Sequence, residues 1–515
     1  MKYCVDRLVA PLNATEKEIR TLISRDFRIP ENSFYFQLVK RRTVLVNNRP
    51  MMEFDLIVDT LAFVRNPSLH FFEGYAPLTL PPFSGKGQPI VIGSGFTGLL
   101  CAYLLAKVGA KPLVLEQGEK MAEREKTRAF LEARKQMVPE SNYRNGEGGS
   151  FASLGGYIEQ GTDLARNEFL LQTFREIGLS NYPEIEGFRF CSSADLSRAC
   201  SVMKTFIESR GGSFRYGARI LSVERFLGWP KAVTYLQDGS RKTAKASSVI
   251  LATGASGYSI KAAQLCRIPL KIATPSIGLF IECNGRDFET EYYGRGKTGK
   301  VPPLFVTESF PNRMGREIRL SFAYPNSELV NGSCEEGSID LRLRQNTWSG
   351  NGNAIAVLSV SLVGEEAEKM SLDGSLSFGG SFLRSCFRRD RPYAGPAETL
   401  GDFLSKKEPL LFGDVRPSCR DGVYLTNLHR FLTPALDDAI TYGLYQAGRK
   451  FPLLARSGDV LTGFSTLGTS RYLPDSEFVG MRGLFSALPR MEDGRDLMKA
   501  GERALRAVES LLREN

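Results

Sequence analysis

Histidine is almost missing from this 515-residue chain: only His70 and His429 occur. That scarcity excludes histidine-rich metal centres and most histidine triads. Cysteine occurs nine times, yet no two cysteines form a C-x-x-C pair. The odd count and the scatter point to free thiols in a reducing compartment, without a disulfide framework or a zinc site. No apolar stretch reaches the ~20 residues that a membrane span needs. The opening "MKYCVDRLVAPLNATEKE" turns charged too early for a signal peptide. A cytoplasmic location with no membrane partner is therefore expected. No repeat of 20–50 residues and no low-complexity tract is visible either. With these chemistries set aside, the demanding step falls to a cofactor, and no metal is expected.

Positive charge is in excess, at a formal +10. Such an excess suits nucleic acid, an acidic substrate or a plain basic surface. Most charges are interleaved, and "EKMAEREKTRAFLEARK" alternates in sign as a solvated helix would. One denser cluster, Arg384, Arg388, Arg389 and Arg391, reads as a solvated loop with an anion contact as the alternative.

The densest signal is "PIVIGSGFTGLLCAYLLAKVGAKPLVLE", Pro89 to Glu116. Ile90 to Ile92 is a short β-branched run that reads as a buried parallel strand. Gly93, Gly95 and Gly98 then follow G-x-G-x-x-G, with Ser94, Phe96 and Thr97 between them. The first glycine allows a tight turn, the second a close approach to a pyrophosphate, and the third close packing of helix on strand. Phosphate is expected at the helix N-terminus. Glu116, followed by Gln117, ends the second strand where a carboxylate accepts from ribose hydroxyls and repels a 2′-phosphate, so FAD or NAD fits better than NADP. A second match, "GRGKTG" at 294–299, follows polar residues and precedes "KVPP", which cannot open a helix; it reads as a surface turn.

At this length two to four domains are expected. Residues 1–76 read as a small α+β, ferredoxin-like module, with a first strand near Tyr3 to Leu8. Its helix is announced by a capping box, Thr15 with Glu18, and by Ile19, Leu22, Ile23 and Phe27 at helical spacing. Two β-rich runs follow, Phe34 to Val46 and Met52 to Val64. Residues 77–88, rich in proline and glycine, read as a linker. The expected fold class is α/β: a Rossmann-like FAD-binding domain (89–258, resumed at 456–515 with a C-terminal helix) that carries an inserted mixed α+β substrate or cap domain at 259–455. The last helix is expected over Asp496 to Arg513, with Leu497, Ala500, Ala504, Val508 and Leu511 on one face.

The order "GSGFTG…VLE", "PESNYRNGEGGSFASLGGYI", "VILATGA" resembles a flavoprotein family usually described as FAD-dependent dehydrogenases or oxidoreductases, of the two-dinucleotide-binding-domain type. "VKRRT" in the opening module and "DDAITYGLYQAGRKFP…GDVLTG" near 437–463 also match its layout. The resemblance implies an extended FAD with its pyrophosphate on the first helix and its isoalloxazine near Asn142, Gly146, Glu147, Gly148 and Gly149. Thr253 and Gly254, at a strand end, are read against the dinucleotide. The chain departs from the family in three motifs. Leu154 and Gly156 stand in place of an Asp and a Lys, "SFAYPNS" replaces a cysteine-containing segment, and Leu488 and Pro489 occupy a loop that is glycine-rich in relatives.

The function expected first is that of a FAD-dependent oxidoreductase, in which hydride passes between flavin and a small organic substrate held between the nucleotide and central domains. NAD(P)H is expected at most as a transient donor. No catalytic acid or base is assigned; Glu147, Tyr157, Arg471 and Tyr472 are candidates, each with a structural alternative. Two other functions remain open: a flavin-bound interaction protein without catalysis, motivated by the altered motifs, and a nucleic-acid-binding flavoprotein, motivated by the charge.

Overall fold

The computed structural model describes residues 1–12, 14–47, 49–61, 63–159, 161, 163–179, 188–254, 265, 276–293, 307–325, 327–345, 352–366, 378–466, 482–488 and 495–514. "GRGKTG", Pro489, Arg471 and Tyr472 lie outside them.

The opening module is one antiparallel sheet in the order Phe34–Val46, Arg49–Thr60, Lys2–Pro11, His70–Phe71. Helix α1, Glu16–Phe27, starts on the expected capping box: the Thr15 side chain accepts from the Glu18 amide and Glu18 answers to the Thr15 amide. Ile19 and Ile23 are fully buried under the sheet. A ferredoxin-like unit has a second helix between its third and fourth strands. None occurs between Thr60 and His70 among the described residues, where Asn66-Pro67 favours a turn over a helix. The module's apolar residues run without a break into the core of the central sheet.

Residues 72–88 have no regular structure, but they do not hang free. Leu78, Leu80 and Phe83 pack against the nucleotide unit, and the Phe83 amide donates to the Val108 carbonyl at 2.8 Å.

The nucleotide unit is a five-stranded parallel sheet in the order Leu484–Ser486, Ser248–Leu251, Pro89–Ile92, Leu113–Leu115, Ser213–Arg215. The chain leaves Pro89–Ile92 toward one edge and later returns to its other side. The strand order thus reverses at the strand that feeds the glycine turn, the place where open α/β sheets bind ligands. Helix α2, Phe96–Lys107, is buried nearly all round, since the helices Ser193–Ser209 and Leu497–Glu514 share its core. An antiparallel meander, Arg219–Phe226, Trp229–Gln237 and Ser240–Lys245, packs Ile220, Val233 and Tyr235 onto the sheet.

The central unit is a seven-stranded sheet in the order Thr307–Arg313, Arg316–Pro325, Asn353–Ser361, Ser276–Asn284, Val460–Ser465, Gly395–Thr399, Val423–Leu425. The strand Val460–Ser465 pairs antiparallel with Ser276–Asn284. The chain therefore stays in the central unit beyond residue 455, the end set by the sequence reading, and rejoins the nucleotide sheet at Leu484–Ser486. No described helix is long and apolar enough to cross a membrane.

Candidate functional site

At the carboxyl ends of the parallel strands three segments meet. Gly93 adopts φ +102°, and a Cβ there would lie 2.5 Å from the Ala252 carbonyl oxygen and 3.1 Å from Thr253 Cα. Gly98 opens α2 so close to the turn that its Cβ would sit 2.0 Å from the Gly93 oxygen. Gly95 differs: its Cβ would meet nothing nearer than Gly149 Cα at 4.0 Å. Gly95 is also the N-cap of α2 and gives the helix no side-chain acceptor, so the first-turn amides keep the capacity to bind an anion. Gly254, at φ +72°, likewise has open space on its Cβ side.

Glu116 is buried, and its carboxylate is already engaged. One oxygen accepts from the Ser94 amide (2.8 Å) and hydroxyl (2.9 Å), the other from the Gly118 amide (2.8 Å). A carboxylate has about four acceptor positions, so Oε1 retains one for a ribose hydroxyl. Phe96 does not face the turn; its ring packs on Phe151 and Phe174 in the core. Thr97 and Gln117 are half-buried.

The segment 139–149 docks on this turn. The Gly148 amide donates to the Ser94 carbonyl at 2.8 Å. Gly148, at φ +79°, and Gly149, at φ +59°, supply backbone that other residues adopt with strain. What holds the segment is Arg124, a residue of helix α3, Met121–Arg134. It is buried to 1% exposure and donates to the carbonyls of Asn142 (3.0 and 2.8 Å), Glu147 and Gly149 (2.8 Å). Burial pushes its guanidinium down to about 10, so it remains a cation at neutral pH. The expected solvated helix holds over most of α3, but Arg124 and Leu131 depart from it. Arg124 shares a face with Leu131, also buried, and that i, i+7 spacing was the available signal.

Asn142 orders the same turn: its side chain accepts from the Arg144 and Asn145 amides and donates to the Val138 and Pro139 carbonyls. Glu147 is buried and engaged through both oxygens, accepting from the Met121 amide (2.6 Å) and the Tyr216 hydroxyl (2.6 Å), with Lys204 Nζ at 3.4 Å. Its geometry is that of an anchor between α3 and the sheet. Gly146, at φ +97°, lies against Arg124, whose Cδ a Cβ would approach to 2.7 Å. Tyr157 is buried in a short strand whose amide binds the Arg495 carbonyl. Two of the departing residues are core residues. Leu488 packs with Ile90 and Leu251 under the meander, and Leu154 with Leu131, Tyr143 and Tyr393.

Where the 139–149 segment meets the central unit, Arg144 Nη1 (3.3 Å) and Arg342 Nη2 (2.6 Å) share one oxygen of buried Asp340. Thr466 donates to the same carboxylate through its amide (3.0 Å) and hydroxyl (3.1 Å). The arginine cluster of the sequence reading is partly neutralised: Arg384 pairs with Glu335 and Arg388 with Asp390. No group of side chains suited to a metal occurs among the described residues.

Residues 91–129 match the model of an NAD(P)-binding Rossmann-like domain. Over 393 residues the chain is 24% identical to an uncharacterized protein of Clostridium beijerinckii, a match that covers 74% of this chain and 72% of that one. Solved structures that the chain matches include a glycerol-3-phosphate dehydrogenase from Bacillus halodurans complexed with FAD, at 13% identity and a TM-score of 0.33 over 83% of this chain and 64% of that one. They include an L-amino acid deaminase from Proteus vulgaris, at 13% identity and a TM-score of 0.33 over 87% and 97%. The chain thus carries a Rossmann-like unit within a mixed α/β architecture.

Proposed function

We propose that the chain is a FAD-dependent oxidoreductase acting on a small organic substrate. The observation that carries this reading is the apposition of two glycine turns, 93–98 and 146–149, at the switch point of the parallel sheet. Gly95 and Gly254 leave backbone exposed there without a Cβ in the way. A dinucleotide fits these residues: its pyrophosphate on the amides that open α2, its ribose on the remaining acceptor of Glu116. The Glu116 carboxylate disfavours a 2′-phosphate. Bound FAD supplies two-electron redox chemistry; Arg124, Asn142 and Glu147 hold the second turn in place, and each is a positioning residue.

The seam between Arg144, Arg342 and Thr466 is the candidate substrate seat. Two guanidinium groups converge there, the donor geometry that recognises a carboxylate or phosphate, which favours an anionic substrate. The absorbance spectrum of the purified protein tests the cofactor directly. Flavin bands that bleach reversibly with dithionite are expected; no flavin after reconstitution with excess FAD would overturn the reading. Retention of a flavin that no reductant bleaches would instead support a flavin-bound interaction protein.

A further inference from the structure

The opposite end of the parallel sheet carries a second site. Residues 86–88 precede Pro89–Ile92, Leu113 opens the next strand, and 246–247 precede Ser248–Leu251; together they floor a cleft of about 770 Å³ roofed by the meander. Most of this floor is the amino ends of the three strands whose carboxyl ends carry Gly93, Glu116 and Thr253, away from the glycine turn; Arg215 alone comes from a carboxyl end, where its carbonyl accepts from the Glu116 amide.

Its lining has one sign of charge. Lys86, Arg215, Lys231 and Lys245 contribute, and no carboxylate does. None of these four forms an ion pair with a described residue; Arg215 donates to the adjacent Phe214 carbonyl. The walls are aromatic. Tyr235 is buried, Trp229 half-buried, and Phe226 at the lip is 65% exposed. The indole is fixed in place: Gly483 passes so close that a Cβ there would lie 2.9 Å from its ring and 2.8 Å from Pro230. On the floor, the Ser247 hydroxyl is buried with no hydrogen-bond partner. Four unneutralised cations call for a polyanion, and the rigid ring beside them calls for a flat apolar group. The volume lies in the range of small-molecule sites.

We propose that this cleft binds a nucleoside polyphosphate, its phosphates on Lys86, Lys231, Lys245 and Arg215 and its base against Trp229. This chemistry belongs equally to a free nucleotide and to the end of a nucleic-acid strand, and the proposal commits to the free nucleotide.

Tryptophan occurs twice, at 229 and 348, so a Trp348→Phe protein reports on Trp229 alone. Titrating that protein with ATP at physiological ionic strength should quench its emission saturably. Lys231→Glu with Lys245→Glu should weaken binding at least about tenfold, the scale of losing two charge-assisted contacts, with flavin content unchanged. Gly95→Val, which alters the other end of the sheet, should bind ATP as the parent does. Calorimetry with no heat and no quench would overturn the proposal. Inorganic tripolyphosphate binding as tightly as ATP would overturn the role of the base. A short single-stranded oligonucleotide binding more than about tenfold tighter would overturn the free nucleotide in favour of a strand.

Discussion

Among single residues, the three glycines of the turn divide by what a methyl group would meet. At Gly98 it meets the Gly93 carbonyl at 2.0 Å, a backbone atom that cannot yield. Gly98→Ala should therefore destabilise the fold by ~1–3 kcal/mol, the usual cost of overpacking. At Gly95 the same methyl has ordinary contact, and its space is the one the proposed function gives to the pyrophosphate. Gly95→Val should lose flavin while its melting temperature stays near that of the parent stripped of flavin. Equal flavin content in parent and variant would remove Gly95 from the site. Glu116 acts on both quantities at once, since its oxygens brace Ser94 and Gly118. Glu116→Gln turns an amide N–H toward one of those donors, so a loss of about 1–3 kcal/mol in stability is expected, with weaker FAD binding beside it. A change in affinity with no change in thermal stability would mean that the bracing contacts carry little.

For elements, the segment 139–149 depends on Arg124, a residue of the preceding helix more than ten positions before it. Arg124→Leu would leave the Asn142, Glu147 and Gly149 carbonyls without their donor; bonds to a charged group are each worth roughly 1.5–3 kcal/mol. The expected result is faster amide exchange over Gly146–Gly149, with the five-stranded sheet still protected. Unchanged exchange there would show that the segment holds without Arg124. This contact also marks the limit of what the sequence discloses. The Gly93–Gly98 turn, the capping box at Thr15 and the last helix are local patterns, and each is legible within a dozen residues. Arg124 was hidden because alternating charge reads as solvent exposure, whereas its partners are carbonyls, which no charge pattern reveals. Membership of Val460–Ser465 in the central sheet was hidden for another reason: a short apolar run looks the same whichever sheet it joins.

Across the whole molecule, burial holds several carboxyls above their ordinary range, Glu282 and Glu159 among them, and three of these lose their protons in the folded chain near neutral pH. Glu398, inaccessible to solvent, is pushed up to about 8 by burial, against one backbone donor from Leu428 and with Asp402, Glu408 and Asp437 nearby. Burial likewise raises Asp459 and Asp496 to about 7. Each group keeps its proton in the folded chain to a pH at which the unfolded chain has released it. Their contribution is therefore fully present below the ordinary carboxylate range and is lost as pH rises through the folded values. The slope is at most about 1.4 kcal/mol per pH unit for each group. Thermal stability should fall from about pH 5 to about pH 8. Toward pH 8 Glu398 contributes the largest share of the three, so Glu398→Gln should make the fall shallower there, while Asp459 and Asp496 keep part of it. Melting curves taken in steps across the range decide the matter: stability that rises toward pH 8, or a final interval equally steep in the variant, would show that Glu398 is ionised in the folded chain.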